Sequence, residues 1–183
     1  IGEALIDKII NKSDSNFRNY LGGAPANVVC ALRKLEVPAA FIGCLGDDEY
    51  GREFIRLFQQ LNINIDFLQI AKQASTRIVK VMRDESGDRS FSGFEVTKSS
   101  SFADEMLDKL LLNTNIKNLK KLFLNTKYIV TGTNLLAFSQ SSDALHFILD
   151  FAKKFKIKII IDVNWREIFW VNSNIDKDAK LKK

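Results

Sequence analysis

The stretch Gly22–Asn27, which reads GGAPAN, decides the fold because it combines the residues that turn a strand into a helix around a ligand. Two adjacent glycines remove both Cβ atoms, so the backbone can take positive φ and a ligand can approach its N–H groups closely. Pro25 fits the first helical turn, where its missing N–H has no intrahelical partner. Asn27 projects from that turn and can bind hydroxyls or an anion together with the N-terminal N–H groups.

Apolar runs alternate with helical patterns on both sides of this stretch. A strand ends near Ile6, a polar stretch follows through Asn19, and a helix runs from Pro25 to Leu35. A second strand, Ala39–Cys44, leads into a helix at Glu49–Leu61 with apolar residues at helical spacing. This order predicts an α/β fold with parallel strands and right-handed crossovers.

The pattern then changes to short apolar segments that predict a β-hairpin layer. They span Ile63–Ile70, Thr76–Arg83 and Ser90–Glu95, with a turn at Ser86–Asp88. We expect this layer to project from the parallel sheet. The α/β order resumes with a helix near Ala103–Leu112, a strand at Tyr128–Thr131, a helix at Ser142–Phe155 and a strand at Ile157–Asp162. The Lys- and Asn-rich end, 171–183, is typical of a weakly ordered tail.

The composition is that of one globular domain. The 183 residues are 46% hydrophobic, and no apolar run approaches the ~20 residues of a membrane span. Cys30 and Cys44 lie in apolar elements and predict reduced thiols, hence an intracellular and cytoplasmic location. The net charge of +5 comes from dispersed lysines without interleaved aromatics, so we expect no nucleic-acid binding. The chain begins at Ile1, and we expect further residues before it.

Several polar side chains follow strands or open helices. Asp7 follows the first strand, at the edge where open α/β sheets bind ligands, and its carboxylate can accept hydrogen bonds from two neighbouring hydroxyls. The alternative is that Asp7 merely ends the strand and Asn27 caps backbone groups. For Asp47 and Asp48 a helix cap is favoured over metal ligands, so we expect no metal site. His146 lacks a partner in the sequence and is interpreted as a surface or packing residue.

These motifs, in this order, resemble the ribokinase-like (PfkB) carbohydrate kinases, and fructokinases in particular. The likeness extends from Gly2 to Trp170. It rests on GEALID at 2–7, GGAPANV at 22–28, FIG at 41–43, GDD at 46–48 with Gly51, STR at 75–77, GDRSF at 87–91 with Gly93 and Phe94, FAD at 102–104, and DVNWR at 162–166.

The resemblance implies transfer of a phosphoryl group from ATP, with Mg²⁺, to a sugar hydroxyl. It implies a three-layer α/β/α body with a mainly parallel sheet and a small β lid, whose strands come from about 8–20 and 63–95. Asp7 and Asn27 would hold sugar hydroxyls. Gly22 and Gly23 would form the lid hinge, with Gly23 close to the sugar. A homodimer through the lid is a further expectation.

Four more residues acquire candidate roles from this likeness. Asn164 and Arg166 would face the sugar or the transferred phosphoryl group, where a guanidinium stabilises charge. The alternative is a strand end fixed by hydrogen bonds. Phe91 and Phe94 belong to the lid and would either cover a sugar face or form the core of the small sheet.

The chain also departs from the family pattern. It contains no Gly-Ala-Gly-Asp segment, from which the family takes its catalytic base, so we expect no catalytic residue in 1–183. We therefore expect the N-terminal, sugar-binding part of a kinase, inactive alone, with the nucleotide bound by the missing half. The alternatives are a non-catalytic interaction module or a kinase for ribose or 2-keto-3-deoxygluconate. Dinucleotide binding is disfavoured because no G-x-G-x-x-G follows the first strand. Glu36 replaces the glycine that usually ends the first helix and predicts a different or slightly strained helix exit.

Overall fold

The computed structural model describes residues 1–11, 16–84, 86–95, 99 and 101–170. The expected tail at 171–183 lies outside the described residues, as do residues 12–15 of the expected lid.

Strands and helices follow the predicted alternating order. The strands are β1 (Leu5–Asn11), β2 (Phe17–Gly22), β3 (Ala40–Gly46), β4 (Asn64–Ala71), β5 (Ile78–Arg83), β6 (Arg89–Phe94), β7 (Tyr128–Gly132) and β8 (Lys158–Asp162). The α-helices are α1 (Ala24–Lys34), α2 (Glu49–Gln60), α3 (Lys109–Thr114), α4 (Ile116–Leu124), α5 (Ser139–Lys154) and α6 (Glu167–Trp170). Two 3₁₀ helices span Ala103–Met106 and Asn134–Ala137.

Parallel strands form the body of the protein. β3 pairs with β4, and β7 pairs with β8, both in parallel. The N-terminal segment lies between the two pairs, because the Gly2 N–H donates to the Ile42 carbonyl over 3.1 Å and the Ile1 nitrogen donates to the Val130 carbonyl over 2.7 Å. The predicted parallel sheet is therefore confirmed.

Strand β3 shows that helices cover both faces of this body. Phe41 and Leu45 are buried against residues of α1 and α2. Ile42 and Cys44, which point the opposite way, are buried with residues of α3, α4 and α5. Because successive side chains of a strand alternate between its faces, this division defines three layers of helix, sheet and helix.

A separate four-stranded sheet forms the small β layer, in the order β2-β1-β5-β6. β1 pairs antiparallel with β2 and parallel with β5, and β5 pairs antiparallel with β6. β1 continues to Asn11, well beyond the predicted end near Ile6, so Asp7 lies within the strand. The sequence pattern assigned residues 63–70 to this layer, but most of them lie in β4 of the body. In the register of that pair, Ile42 of β3 lies opposite Phe67 of β4.

The single helix predicted near 103–112 is also wrong in detail. The chain forms a 3₁₀ helix, becomes extended at Leu107 and Asp108, and only then begins α3. The Gln69 side chain stabilises the extended backbone at this break, because it accepts from the Asp108 N–H over 2.7 Å and donates to the Asp108 carbonyl over 2.9 Å. The Asp108 carboxylate caps α3 by accepting from the Leu110 N–H.

The predicted exit of α1 is confirmed. Glu36 lies at φ 61, the left-handed region that glycine usually occupies after a helix. The Val37 N–H donates to the Leu32 carbonyl over 2.9 Å, which closes the helix end in the Schellman pattern.

Candidate functional site

Asp7 lies in β1 against the diglycine at the end of β2. A Cβ at position 22 would collide with the Asp7 Oδ2, so only glycine leaves room for this carboxylate. Burial raises the Asp7 pKa, and the positive charges of Arg89 and Arg166 oppose that rise. Asp7 is thus a half-buried acceptor with two guanidinium groups in its electrostatic surroundings.

Gly23 and Asn27 form the start of α1 beside this carboxylate. Gly23 has φ 97, and a Cβ there would lie 2.6 Å from the Glu3 carbonyl oxygen. The backbone must therefore turn at a position that only glycine tolerates. The Asn27 N–H donates to the Gly23 carbonyl over 2.9 Å and closes the first turn of α1. The Asn27 side chain is exposed to solvent.

The segment after β8 contributes Asn164 and Arg166. Gly132 of β7 pairs with Asp162, so this segment leaves the body at the carboxyl ends of two parallel strands. The Asp162 carboxylate accepts from the Asn164 N–H over 3.1 Å, and Asn164 has φ 22. Asn164 shapes a turn here, whereas the exposed Arg166 reaches across to the small sheet.

Phe91 and Phe94 occupy different environments in β6. The Arg166 guanidinium lies over the Phe91 ring, 4.7 Å from its centroid, and the Phe91 ring is 47% exposed. Phe94 packs edge-on against Phe102 and Phe169 and belongs to the core between the sheet and α6. Phe91 is therefore available to a ligand, and Phe94 is part of the packing.

The sheet register reveals four basic or aromatic residues to which sequence reasoning gave no role. Arg83 pairs with Arg89, Tyr20 pairs with Asp7, and Arg18 pairs with Ile9, which lies two residues from Asp7 in β1. Because paired residues point to the same face, all four side chains lie on the face of Asp7. Among the described residues, none of the three arginines forms an ion pair with a carboxylate. The alternate spacing of Arg18 and Tyr20 in β2 was the available signal for two of the four residues.

Other candidates have structural roles. Asp48 caps α2 through the Gly51 N–H at 2.8 Å, and it also binds Thr76, so the cap interpretation is confirmed. His146 Nδ1 donates to the Ser142 carbonyl over 2.7 Å, in a helix lining a cavity of about 410 Å³ away from Asp7.

Three other features of the chain are its potential metal ligands, its thiols and its helices. Within the described ranges, no three His, Cys, Asp or Glu side chains cluster as metal ligands. Cys30 and Cys44 are free thiols, and burial raises the pKa of Cys44 to about 12. No helix in the described part of the chain has the length and apolarity needed to cross a membrane.

The fold and the site define a class: an α/β/α body joined to a small β sheet whose face carries a carboxylate and several guanidinium groups, beside an exposed amide at the start of a helix. Residues 1–176 match the family of pfkB family carbohydrate kinases. The chain belongs to this family, as its motifs predicted.

Curated relatives come from bacteria and plants. The chain is 30% identical over 160 residues to the 5-dehydro-2-deoxygluconokinase of Clostridium perfringens, covering 87% of this chain and 44% of that protein. It is 31% identical over 128 residues to fructokinase-2 of Oryza sativa subsp. japonica, covering 67% of this chain and 37% of that protein. The chain thus spans less than half the length of these relatives.

Solved structures share the fold. A fructokinase from Xylella fastidiosa superposes with a TM-score of 0.81 over 98% of this chain and 56% of its own, at 24% identity. The same enzyme with bound ATP gives a TM-score of 0.80. The ribokinase-like fold predicted from the motifs is confirmed.

Proposed function

We propose that this chain forms the sugar-binding part of a kinase that transfers the γ-phosphoryl group of ATP to a sugar hydroxyl. Membership of the carbohydrate kinase family supports the reaction class. The observation that carries the proposal is the fit between Asp7 and Gly22: the missing Cβ provides the space that the carboxylate fills. Such a half-buried carboxylate, beside the open start of a helix, suits a ligand with neighbouring hydroxyls.

Each site residue then has a defined task. Asp7 accepts hydrogen bonds from sugar hydroxyls, and the exposed amide of Asn27 supplies a donor and an acceptor. Gly23 lets the sugar approach the backbone, and Gly22 with Gly23 joins the small sheet to the body. Arg166 stabilises negative charge at the open side of the site. The small sheet acts as a lid that excludes water, which would otherwise compete for the phosphoryl group.

The nucleotide is assigned to the part of the protein outside this chain. Family membership and an ATP-bound structural neighbour support the use of ATP, and we propose Mg²⁺ as its partner ion, but the described residues do not provide a cluster of carboxylate ligands for the metal. The residues present thus fit the sugar and not the metal ion, and we propose that 1–183 alone does not turn over. Purified 1–183 should show no sugar-dependent ADP release, whereas the complete protein should.

The decisive test of the reaction uses the complete protein against a panel of fructose, ribose and sugar acids. ADP release that depends on one of these sugars supports the proposal. Asp7→Ala should lower kcat/KM at least ~10-fold through the loss of charged hydrogen bonds. A complete protein that binds no sugar and releases no ADP would support the alternative, a non-catalytic interaction module.

The arginines favour a sugar acid as a second candidate substrate, beside fructose. Arg83 and Arg89 are exposed on the Asp7 face and form no ion pair among the described residues, although the charge of Arg89 acts on the Asp7 carboxylate. An acid group of the substrate would give these guanidiniums their partner, since the planar fork suits a carboxylate. Arg89→Gln should then raise the KM for 2-keto-3-deoxygluconate or 5-dehydro-2-deoxygluconate and leave the KM for fructose nearly unchanged.

We also propose a homodimer through the lid and a cytoplasmic location. Phe17 in the edge strand β2 is 55% exposed, and the outer edge of that strand is unpaired within the described sheet. An exposed edge strand of this kind favours pairing with another chain. Light scattering of the complete protein should give a dimer mass that Phe17→Asp reduces to that of a monomer.

A further inference from the structure

Arg77 is buried at the point where β5 leaves the body. It is only 1% exposed, and its carbonyl accepts from the Ile6 N–H over 2.8 Å. Its guanidinium contacts both carboxylate oxygens of Asp104, with Nε 2.9 Å from Oδ2 and Nη2 3.0 Å from Oδ1. The same Nη2 donates to Glu105 over 2.7 Å. Both carboxylates belong to the first 3₁₀ helix, so Arg77 ties the small sheet to the body.

Aromatic rings enclose the same guanidinium. Its central carbon lies within 4.2–5.2 Å of four ring centroids, those of Phe94, Phe102, Phe138 and Phe169. These rings come from β6, the start of the 3₁₀ helix, the start of α5, and α6. The guanidinium therefore lies at a junction of four elements, held by ion pairs in its plane and by rings around it.

Two of these rings belong to the elements that form the walls of the proposed sugar site. Phe94 is three residues from Phe91 in β6, and Phe169 is three residues from Arg166. On the site side, the Arg166 guanidinium lies 4.7 Å from the Phe91 ring centroid. Arg77 thus contacts both β6 and the segment that carries Arg166.

We propose that Arg77 is a positioning residue that sets the separation of the lid strand β6 from the loop carrying Arg166. This inference rests on the proposed function. Its physical basis is the directional bonding of the guanidinium. A buried ion pair adds little net stability compared with apolar residues of the same volume, but it fixes the relative orientation of the groups that it joins. The planar guanidinium can satisfy a bidentate carboxylate and four rings in only one orientation, which a lysine ammonium cannot reproduce. A small displacement of one wall would misplace the phosphoryl acceptor.

The test compares Arg77→Lys and Glu105→Gln with the wild type in the complete protein. Arg77→Lys retains the charge and loses the fork. Glu105→Gln retains a hydrogen-bond acceptor at a partly exposed position, so it keeps the inference testable if Arg77→Lys does not fold. We expect Arg77→Lys to lower kcat at least ~10-fold, with a smaller change in the sugar KM. Glu105→Gln should show the same effect at lower amplitude.

A second readout does not depend on activity. Trp165 and Trp170 are stacked, with ring centroids 4.5 Å apart and planes at 19°, in the segment that carries Arg166 and Phe169. Stacked indoles couple in the near- and far-ultraviolet circular dichroism, and Trp165→Phe identifies their band. Displacement of this segment in Arg77→Lys should reduce that band by at least about half. If Arg77→Lys loses the band but the wild-type complete protein shows no kinase activity, the positioning role is sustained and the proposed function is refuted.

The matched control is Phe123→Leu, a core change between α4 and α5 away from the lid. Its unfolding midpoint measures a loss of stability alone, and it should leave kcat and the tryptophan band unchanged. If Arg77→Lys and Glu105→Gln keep both the band and kcat, or if their kcat falls only as far as that of Phe123→Leu at equal stability, Arg77 is merely structural and the inference is overturned.

Discussion

Substitution of Gly22 by alanine tests how the Asp7 carboxylate is held. The added methyl group would overlap the Asp7 Oδ2 and lie 3.0 Å from Asp7 Cγ, while the next atom, the Leu5 carbonyl oxygen, stays at an ordinary 3.6 Å. Gly22 is not among the glycines with positive φ, so alanine meets no backbone strain there. The conflict is therefore with one side chain, and that side chain can be removed.

The expected energies follow from this geometry. Forcing a methyl group into an occupied space costs about 1–3 kcal/mol in the free energy of unfolding. In an Asp7→Ala background the obstacle is gone, and Gly22→Ala should stabilise by about 0.4–1 kcal/mol because it restricts the unfolded chain. The two positions should thus show a coupling energy of about 1.5–4 kcal/mol.

Urea unfolding of the wild type, both single variants and the double variant measures this coupling. The m-value should stay constant across the four proteins, so that midpoints report stability. An equal cost of Gly22→Ala with and without the Asp7 carboxylate would refute the inferred fit. In the complete protein, Gly22→Ala should also raise the sugar KM, because the displaced carboxylate no longer faces the hydroxyls.

Three further predictions concern stability. Glu36→Gly should raise the free energy of unfolding by up to about 1 kcal/mol, since Glu36 lies at φ 61; a lower thermal midpoint would contradict this. Burial raises the Glu3 pKa from 4.5 to about 7, so Glu3 should contribute stability that is fully present below pH 4.5, falls between pH 4.5 and 7, and is lost above 7; Glu3→Gln should abolish this part of the pH dependence in urea unfolding. Asp48→Ala, which loses the helix cap and both bonds to Thr76, should cost about 2–3 kcal/mol against about 1 kcal/mol for Asp108→Ala; equal costs would show that the Thr76 bonds add nothing.

The elements that could be predicted from the sequence are those fixed by neighbouring residues. Pro25 after two glycines predicts the start of α1, because ring geometry and missing Cβ atoms act within one turn. Glu36 predicts a strained helix end for the same reason, and its φ of 61 confirms it. The cap at Asp48 is equally local, since its carboxylate needs only the N–H three residues later.

The errors occur where pairing between distant segments decides the structure. β4 has an alternating pattern that suits either sheet, and only its register with β3, which pairs Ile42 with Phe67, assigns it to the body. The break before α3 depends on Gln69, which is 39 residues from Asp108 in sequence. β1 continues past Asp7 because β5 pairs with it along its length, and the polar residues there hide the strand pattern.

The site shows the same division between local and distant information. Gly23 and Asn27 could be predicted as site residues because they lie at the strand-to-helix turn that begins α1, and Asp7 because its carboxylate follows an apolar run. Arg89 does not, since an exposed arginine in a polar hairpin is ordinary until the register places it on the Asp7 face.

Arg77 is the extreme case of dependence on the fold. Its sequence neighbours predict a strand start on a polar segment, and an isolated arginine is expected to be exposed. The desolvation cost of its burial is offset only because Asp104 and Glu105 supply carboxylates and four phenylalanines from separate elements surround the charge. No local pattern contains that arrangement, so the contact of Arg77 between the small sheet and the body could be found only from the structure. A charge buried at such a junction fixes the orientation of the groups around it more than it adds to the free energy of unfolding. Arg77→Lys should therefore alter kcat under conditions in which the protein is still folded.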